Sequence, residues 1–296
     1  MSRPLANILL LLAAALWGFG NIAQKTVLEH LDPFSAVGMR CLVGGLLILP
    51  LLLLERRRTA GPGFWRSAAR VAGLLAVALL LQQTAYMSTS VTNAGFLMNT
   101  ATVITPVLAW AVFRERTGLH VWVAAGVTMA GILMLCGGVR GMGRGDLTSL
   151  ASALFYAFWM IGLCRHMRTF GSPIRTACVQ FLITAAIALP IGIASGHLSA
   201  EAVLAAWPDL LVLGAGSTAL AFGLQTIAAR YTPAAHAAVI VSAEGVFSAI
   251  AAALFLGERM TVTALLGATL MLTAIIHLAF GGIPRRKPQF RSVTPG

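Results

Sequence analysis

Residues 95 to 116 read GFLMNTATVITPVLAWAVFRER: an apolar run interrupted by Asn99, Thr100, Thr102, Thr105 and Pro106 and closed by charge. Residues 238 to 259 read AVIVSAEGVFSAIAAALFLGER, with Ser242 and Glu244 as the polar interruptions. A run of roughly 20 apolar residues is as long as a bilayer is thick. In hydrocarbon every backbone N–H and C=O has to be satisfied within the segment, so such a run folds as a helix. A barrel is disfavoured, because the runs are continuously apolar rather than alternating. The two stretches also align on a shift of 143, which carries Glu115-Arg116 onto Glu258-Arg259, Ala94 onto Ala237, Val103 onto Val246 and Gln82 onto Gln225. They are expected to face each other across an internal solute pathway.

Only 10% of residues are charged and 58% are hydrophobic, against roughly 25% charged in soluble domains. Mean hydropathy is +0.86. Ten candidate spans follow, roughly Leu5–Val27, Pro33–Leu54, Ala68–Ser88, Thr92–Phe113, His120–Val139, Leu147–Met167, Ile174–Ser195, Pro208–Ala229, Ala234–Leu256 and Thr261–Phe280. The first run carries Trp17 and Asn21 and no convincing cleavage site, so it reads as a retained helix. Residues 283–296 are basic and without apolar period, and are expected to be a disordered cytoplasmic tail.

The formal charge of +12 reflects topology rather than nucleic-acid binding, for which there is no motif. With both ends inside, sixteen bases fall on the inner side: Arg3, Arg56–Arg58, Arg66, Arg70, Arg114, Arg116, Arg165, Arg168, Arg175, Arg230, Arg285, Arg286, Lys287 and Arg291. Four fall outside: Lys25, Arg140, Arg144 and Arg259. That bias puts both termini in the cytoplasm. Cys41, Cys136, Cys164 and Cys178 stand singly and read as small packing residues, with no metal site and no cofactor implied.

The repeat extends to the other spans. Pro33 and Pro50 map onto Pro173 and Pro190 at a shift of 140; Ala14, Trp17, Phe19 and Ile22 map onto Ala153, Tyr156, Phe158 and Ile161 at 139. The halves are thus residues 1–140 and 145–282. Five helices per half is an odd number, so the second half enters the membrane upside down: an all-α integral membrane protein of ten helices in a five-plus-five inverted repeat. Such repeats place a solute site at their interface near the midplane and work by alternating access.

The opening LLLAAALWGFGNIAQK, the DPFSAVGMR entering the second span, and the FRER and LGER endings resemble the EamA-type transporters of the drug/metabolite transporter superfamily, over Leu5 to Phe280. Within it, the chain most resembles bacterial exporters of aromatic amino acids. The resemblance implies a basket of ten helices in the bacterial inner membrane. Spans one, three, four, six, eight and nine line a cavity; five and ten pack peripherally as a dimer surface or brace. The protein would be a monomer or a homodimer, with a small amino acid or metabolite as cargo.

Glu244 is the one carboxylate deep in a span, where a charge costs about 2.5–3.5 kcal/mol on insertion scales. It either recognises an amino group or carries a proton, or is a paired structural carboxyl; Gly245 beside it either relaxes the helix or permits close packing. Arg40 is expected to be structural or gating, the alternatives being a grip on a substrate carboxylate and snorkelling to the interface. Asn99 and Thr102 share a helix face with Pro106, which permits a bend; the threonines are expected to bond their own helix. Gln82, Tyr86 and Gln225 are expected to line the cavity, with helix–helix bonding as the rival reading. Trp17, Asn21, Tyr156 and Trp159 form either an aromatic pocket or ordinary packing. Trp65, Trp122 and Trp207 are interfacial anchors. Salt pairing among Lys25, Glu29, His30 and Asp32 is a surface feature. His236 and His277 read as polar groups at span ends. An enzyme would need a nucleophile with its base, or converging carboxylates or ligands, and the spans hold one deep carboxylate. A fixed channel fits an inverted repeat less well than a carrier does.

Overall fold

A computed structural model of the chain describes residues 1–55, 61–89, 91–137, 143–255, 257 and 259–281. The tail 283–296, the Arg56–Arg58 run, Arg140 and Glu258 lie outside the described residues. The fold is all-helical, without strand among them. Ten helices are long and apolar enough to span a bilayer: α1 (Arg3–Glu29), α2 (Pro33–Leu53), α3 (Phe64–Ala85), α4 (Asn93–Ala111), α5 (Leu119–Cys136), α6 (Arg144–Phe170), α7 (Pro173–Ala194), α8 (Trp207–Ala228), α9 (Ala234–Phe255) and α10 (Val262–Phe280). Both ends of the membrane region lie on one face, here called the terminal face.

Local chemistry sets the starts. Pro33 opens α2 behind Asp32, whose carboxylate accepts from Phe34 and Ser35 N–H, so Asp32 is a helix cap rather than the surface ion pair expected of it. Glu55 accepts from the N–H groups of Ile174 and Arg175 and so caps α7 from the other half of the chain.

The halves interlock. The closest helix pairs are α2 with α7, α3 with α6, and α5 with α10; α1 packs on α8 and α9, as α6 packs on α3 and α4. Every one of these pairs joins the first half to the second. Exchanging the halves maps the set onto itself, as an inverted duplication requires. Small residues permit the approach. A Cβ on Gly267 would lie 2.5 Å from the Gly131 carbonyl oxygen, so α5 and α10 meet backbone to backbone. The fifth and tenth helices thus pack on each other within the chain.

Both repeat-related helices α4 and α9 are broken in mid-membrane. The α4 span runs through two helical segments, Val91–Asn99, which starts just ahead of it, and Ala101–Ala111; α9 consists of Ala234–Val241 and Glu244–Phe255. At each break a hydroxyl turns back onto the carbonyl three residues before it: Thr100 onto Leu97 and Ser242 onto Val239. Pro106, where the sequence permits a bend, sits inside the helix Ala101–Ala111. The three-residue backbone bonds at Thr100, from the Thr100 N–H to the Leu97 carbonyl at 3.2 Å and from the Val103 N–H to the Thr100 carbonyl at 2.9 Å, end the first segment. In α8, residues Val212–Phe222 are π-helical, a wider winding common at functional sites.

Candidate transport site

A central cavity of about 100 Å³ lies where the two breaks meet the middle of α1, α6 and α8. A water needs roughly 10–15 Å³ of such space, so the cavity has room for several waters or a small solute. Its lining includes Trp17, Gln82, Tyr86, Asn99, Tyr156, Trp159, Gln225, Ser242 and Glu244 from the sequence expectations. Asn21 stands one bond behind that surface, donating to Glu244 Oε1 at 2.9 Å. Spans one, three, four, six, eight and nine contribute as expected, and α2 also reaches the cavity, through Arg40. On the terminal-face side, Ala101–Ala111 of α4 packs against Ala234–Val241 of α9.

The polar wall is one connected chain. Glu244 accepts from Asn21, and Gln24 Nε2 lies 3.4 Å from Asn21 Oδ1. Arg40 Nη1 donates to Gln24 Oε1 at 2.9 Å and Arg40 Nε to Thr218 Oγ1 at 3.1 Å. The chain therefore runs from α9 through α1 and α2 to α8 and crosses between the halves twice. The guanidinium is 1% exposed, so Arg40 does not snorkel to the interface. It faces inward on neutral oxygens. At the terminal face Arg165 pairs with Glu115. Arg40 and Glu244 make no ion pair with each other or with another described side chain, although each lies within range of the other's charge. A buried charge held only by neutral dipoles is costly and calls for a partner.

Part of the lining is aromatic. Trp17 and Phe222 meet edge-on at 4.7 Å, Trp159 and Phe222 at 5.5 Å, and Tyr156 and Trp159 at 6.0 Å. Each polar tip is tied down: Trp17 Nε1 to the Ser217 carbonyl in the π-helical stretch, Tyr156 Oη to Gln82 Oε1, Trp159 Nε1 to Gln180 Oε1. Trp159 and Tyr86 are each 1% exposed, so packing claims most of their surface. Gln225 Oε1 and Thr105 Oγ1 are buried at the cavity with no protein hydrogen-bond partner. These atoms are acceptors, and for Thr105 also a donor, that a solute could satisfy.

Two expected ligands are partly engaged already. The Asn99 amide donates to the Gly95 carbonyl at 2.7 Å, and the Ser242 hydroxyl is used at its break. Thr102 lies on the cavity side of α4. Gly245 faces Asn99 and Met271. A Cβ on Gly18 would lie 2.8 Å from the Glu244 carbonyl oxygen, so a glycine there lets α1 bring Asn21 up to Glu244. Gln24, Phe222 and Thr218 belong to the site without having been expected there. Gln24 had a signal: Trp17, Asn21 and Gln24 follow one another at four and three residues, one stripe of a helix. Thr218 had none, because it is the π winding that brings it to Arg40.

No group of three or more His, Cys, Asp and Glu converges among the described residues. A helical basket of interlocked halves, with a partly polar cavity at their seam, is the architecture of a multi-pass membrane carrier. The chain belongs to the EamA-like transporter family, whose model matches residues 4–137 and 143–280, one repeat each. It is a transporter, not an enzyme. It is 27% identical over 280 residues to an uncharacterized transporter of Archaeoglobus fulgidus, covering 93% of this chain and 86% of that one. It is 24% identical over 293 residues to the uncharacterized transporter YwfM of Bacillus subtilis, covering 97% of each. The threonine/homoserine exporter RhtA of Salmonella typhimurium is 32% identical over 195 residues, 63% of this chain and 62% of that exporter. One solved crystal structure superposes with a TM-score of 0.79 at 18% identity, over 94% of this chain and 97% of that one; at that identity the likeness speaks for the fold alone.

Proposed function

We propose that the protein exports neutral amino acids, or closely related zwitterionic metabolites, across the bacterial inner membrane by alternating access, with both termini cytoplasmic. The observation that carries this reading is the pair of charges at the cavity, Glu244 and Arg40, each bonded only to neutral groups. An ammonium fits the free side of Glu244, and a carboxylate fits Arg40 Nη2, which has no hydrogen bond among the described residues. A zwitterion neutralises both at once, which neither an anion nor a cation does. The apolar edge formed by Trp17, Tyr156 and Phe222 receives the side chain. The partial likeness to an exporter of threonine and homoserine supports the amino-acid class.

The repeats 1–140 and 145–282 are the two moving units, and the breaks at Thr100 and Ser242 are where α4 and α9 change angle. A proton replaces the departing ammonium on Glu244 for the return step only, which couples export to proton entry. Aromatic side chains are the preferred cargo if the edge-on cluster opens to admit a ring; threonine-like side chains are preferred if it stays closed. Competition by a panel of amino acids against one labelled amino acid in proteoliposomes tests the class. Zwitterions should compete and their N-acetyl and methyl-ester derivatives should not; equal competition by the blocked forms would refute it.

A further inference from the structure

His120 and His236 take no part in the cavity. His120 stands in the first turn of α5, and His236 near the start of α9. They come from different repeats and meet at the terminal face. Their Nε2 atoms are 3.3 Å apart, with ring centroids at 5.3 Å and planes inclined by 62°. The nitrogens, not the ring faces, approach each other. The separation is long for a hydrogen bond from N–H. It matches two ligands of a tetrahedral metal ion, whose bonds of about 2.0–2.1 Å place neighbouring nitrogens roughly 3.3 Å apart.

We infer that His120 and His236 form a two-histidine site for a divalent transition-metal ion of the zinc type, tying one repeat to the other and holding the terminal face closed. Neutral imidazole Nε2 is a suitable ligand for Zn²⁺, Ni²⁺ and Cu²⁺. With two protein ligands, the remaining positions belong to water, so binding is moderate and reversible. The place matters more than the strength. Ala234–Val241 of α9 packs on α4 at this face, and α5 follows α4 directly. A tie between the starts of α5 and α9 therefore spans the contact that has to part when the cavity opens toward the chain ends. An ion that bridges them only when the contact is closed shifts the population toward that state. Arg3 acts electrostatically on His236, and its positive charge opposes the cation.

The test uses the full-length chain purified without a polyhistidine tag. Zn²⁺ is titrated by calorimetry and Co²⁺ by visible absorption. The wild type should bind one ion per chain, and His120→Ala or His236→Ala should weaken binding at least about tenfold, the double variant little more than either alone. Arg3→Gln should tighten it. His120→Gln and His236→Gln serve as a second pair should an alanine variant fail to elute as a single species. In proteoliposomes, Zn²⁺ at the terminal face should slow counterflow by the wild type and leave His236→Ala unaffected. Equal Zn²⁺ binding by wild type and double variant overturns the site. Binding at the pair with unchanged counterflow overturns the closing role.

Discussion

The Asn21 amide donates to Glu244 Oε1 at 2.9 Å across the seam between the two repeats. The first repeat thus holds the second repeat's one deep carboxylate, and any movement of the halves acts on that bond. A hydrogen bond to a charged group contributes about 1.5–3 kcal/mol.

Proton and substrate ammonium should compete at Glu244. Lowering the pH on the loading side should raise the apparent KM for a neutral amino acid, with the maximal rate little changed. In Glu244→Gln the KM should no longer depend on pH. Initial rates of counterflow over a pH series check this, and a Glu244→Gln profile parallel to the wild type would contradict it.

Arg40→Lys should not rescue Arg40→Met. The planar fork reaches Gln24 and Thr218 together, and a single ammonium does not reproduce that geometry. Either change leaves buried acceptors without their donor, at about 1–3 kcal/mol. Thermal unfolding in detergent should show both variants destabilised, and a wild-type melting temperature for Arg40→Lys would count against the fork.

Two glycine substitutions separate site from scaffold. Gly18→Ala pushes α1 away from the Glu244 carbonyl and should raise KM with modest loss of stability. Gly267→Ala forces α10 off α5 and should lower thermal stability while leaving KM near wild type, since neither helix lines the cavity. The opposite pattern would refute this division.

Phe222→Ala should change selectivity. Phe222 is the ring that both Trp17 and Trp159 pack against, so removing it enlarges the apolar edge. Bulky side chains should gain relative to small ones. Competition constants for phenylalanine and threonine read this ratio, which should stay fixed if the cluster is packing alone.

The fold was legible because its cause is one-dimensional. Apolar runs of bilayer length become helices, and an odd number of them per repeat inverts the second copy. Asn21, Gln82, Tyr156, Gln225 and Glu244 could be marked because polar groups in such runs need a reason to be there. What the sequence could not show is how the helices are wound and paired. The break at Thr100 arises from side-chain bonding to backbone, whereas Pro106 six residues on lies within the next helical segment. Arg40 was placed within a span, but its partners Gln24 and Thr218 were not legible, because depth in sequence does not tell which way a long side chain points. His120 and His236 lie 116 positions apart, and nothing short of the packing of α5 and α9 brings them together.

The central claim is that a zwitterion binds between Glu244 and Arg40 at the seam of the two repeats. Entrance counterflow of a labelled neutral amino acid into proteoliposomes, wild type beside Glu244→Gln, tests it most directly. The account predicts saturable counterflow by the wild type and an apparent affinity about 10- to 150-fold weaker in the variant, matching the loss of a charge-assisted bond. Flux that rises linearly with concentration, or an affinity untouched by the substitution, would contradict it.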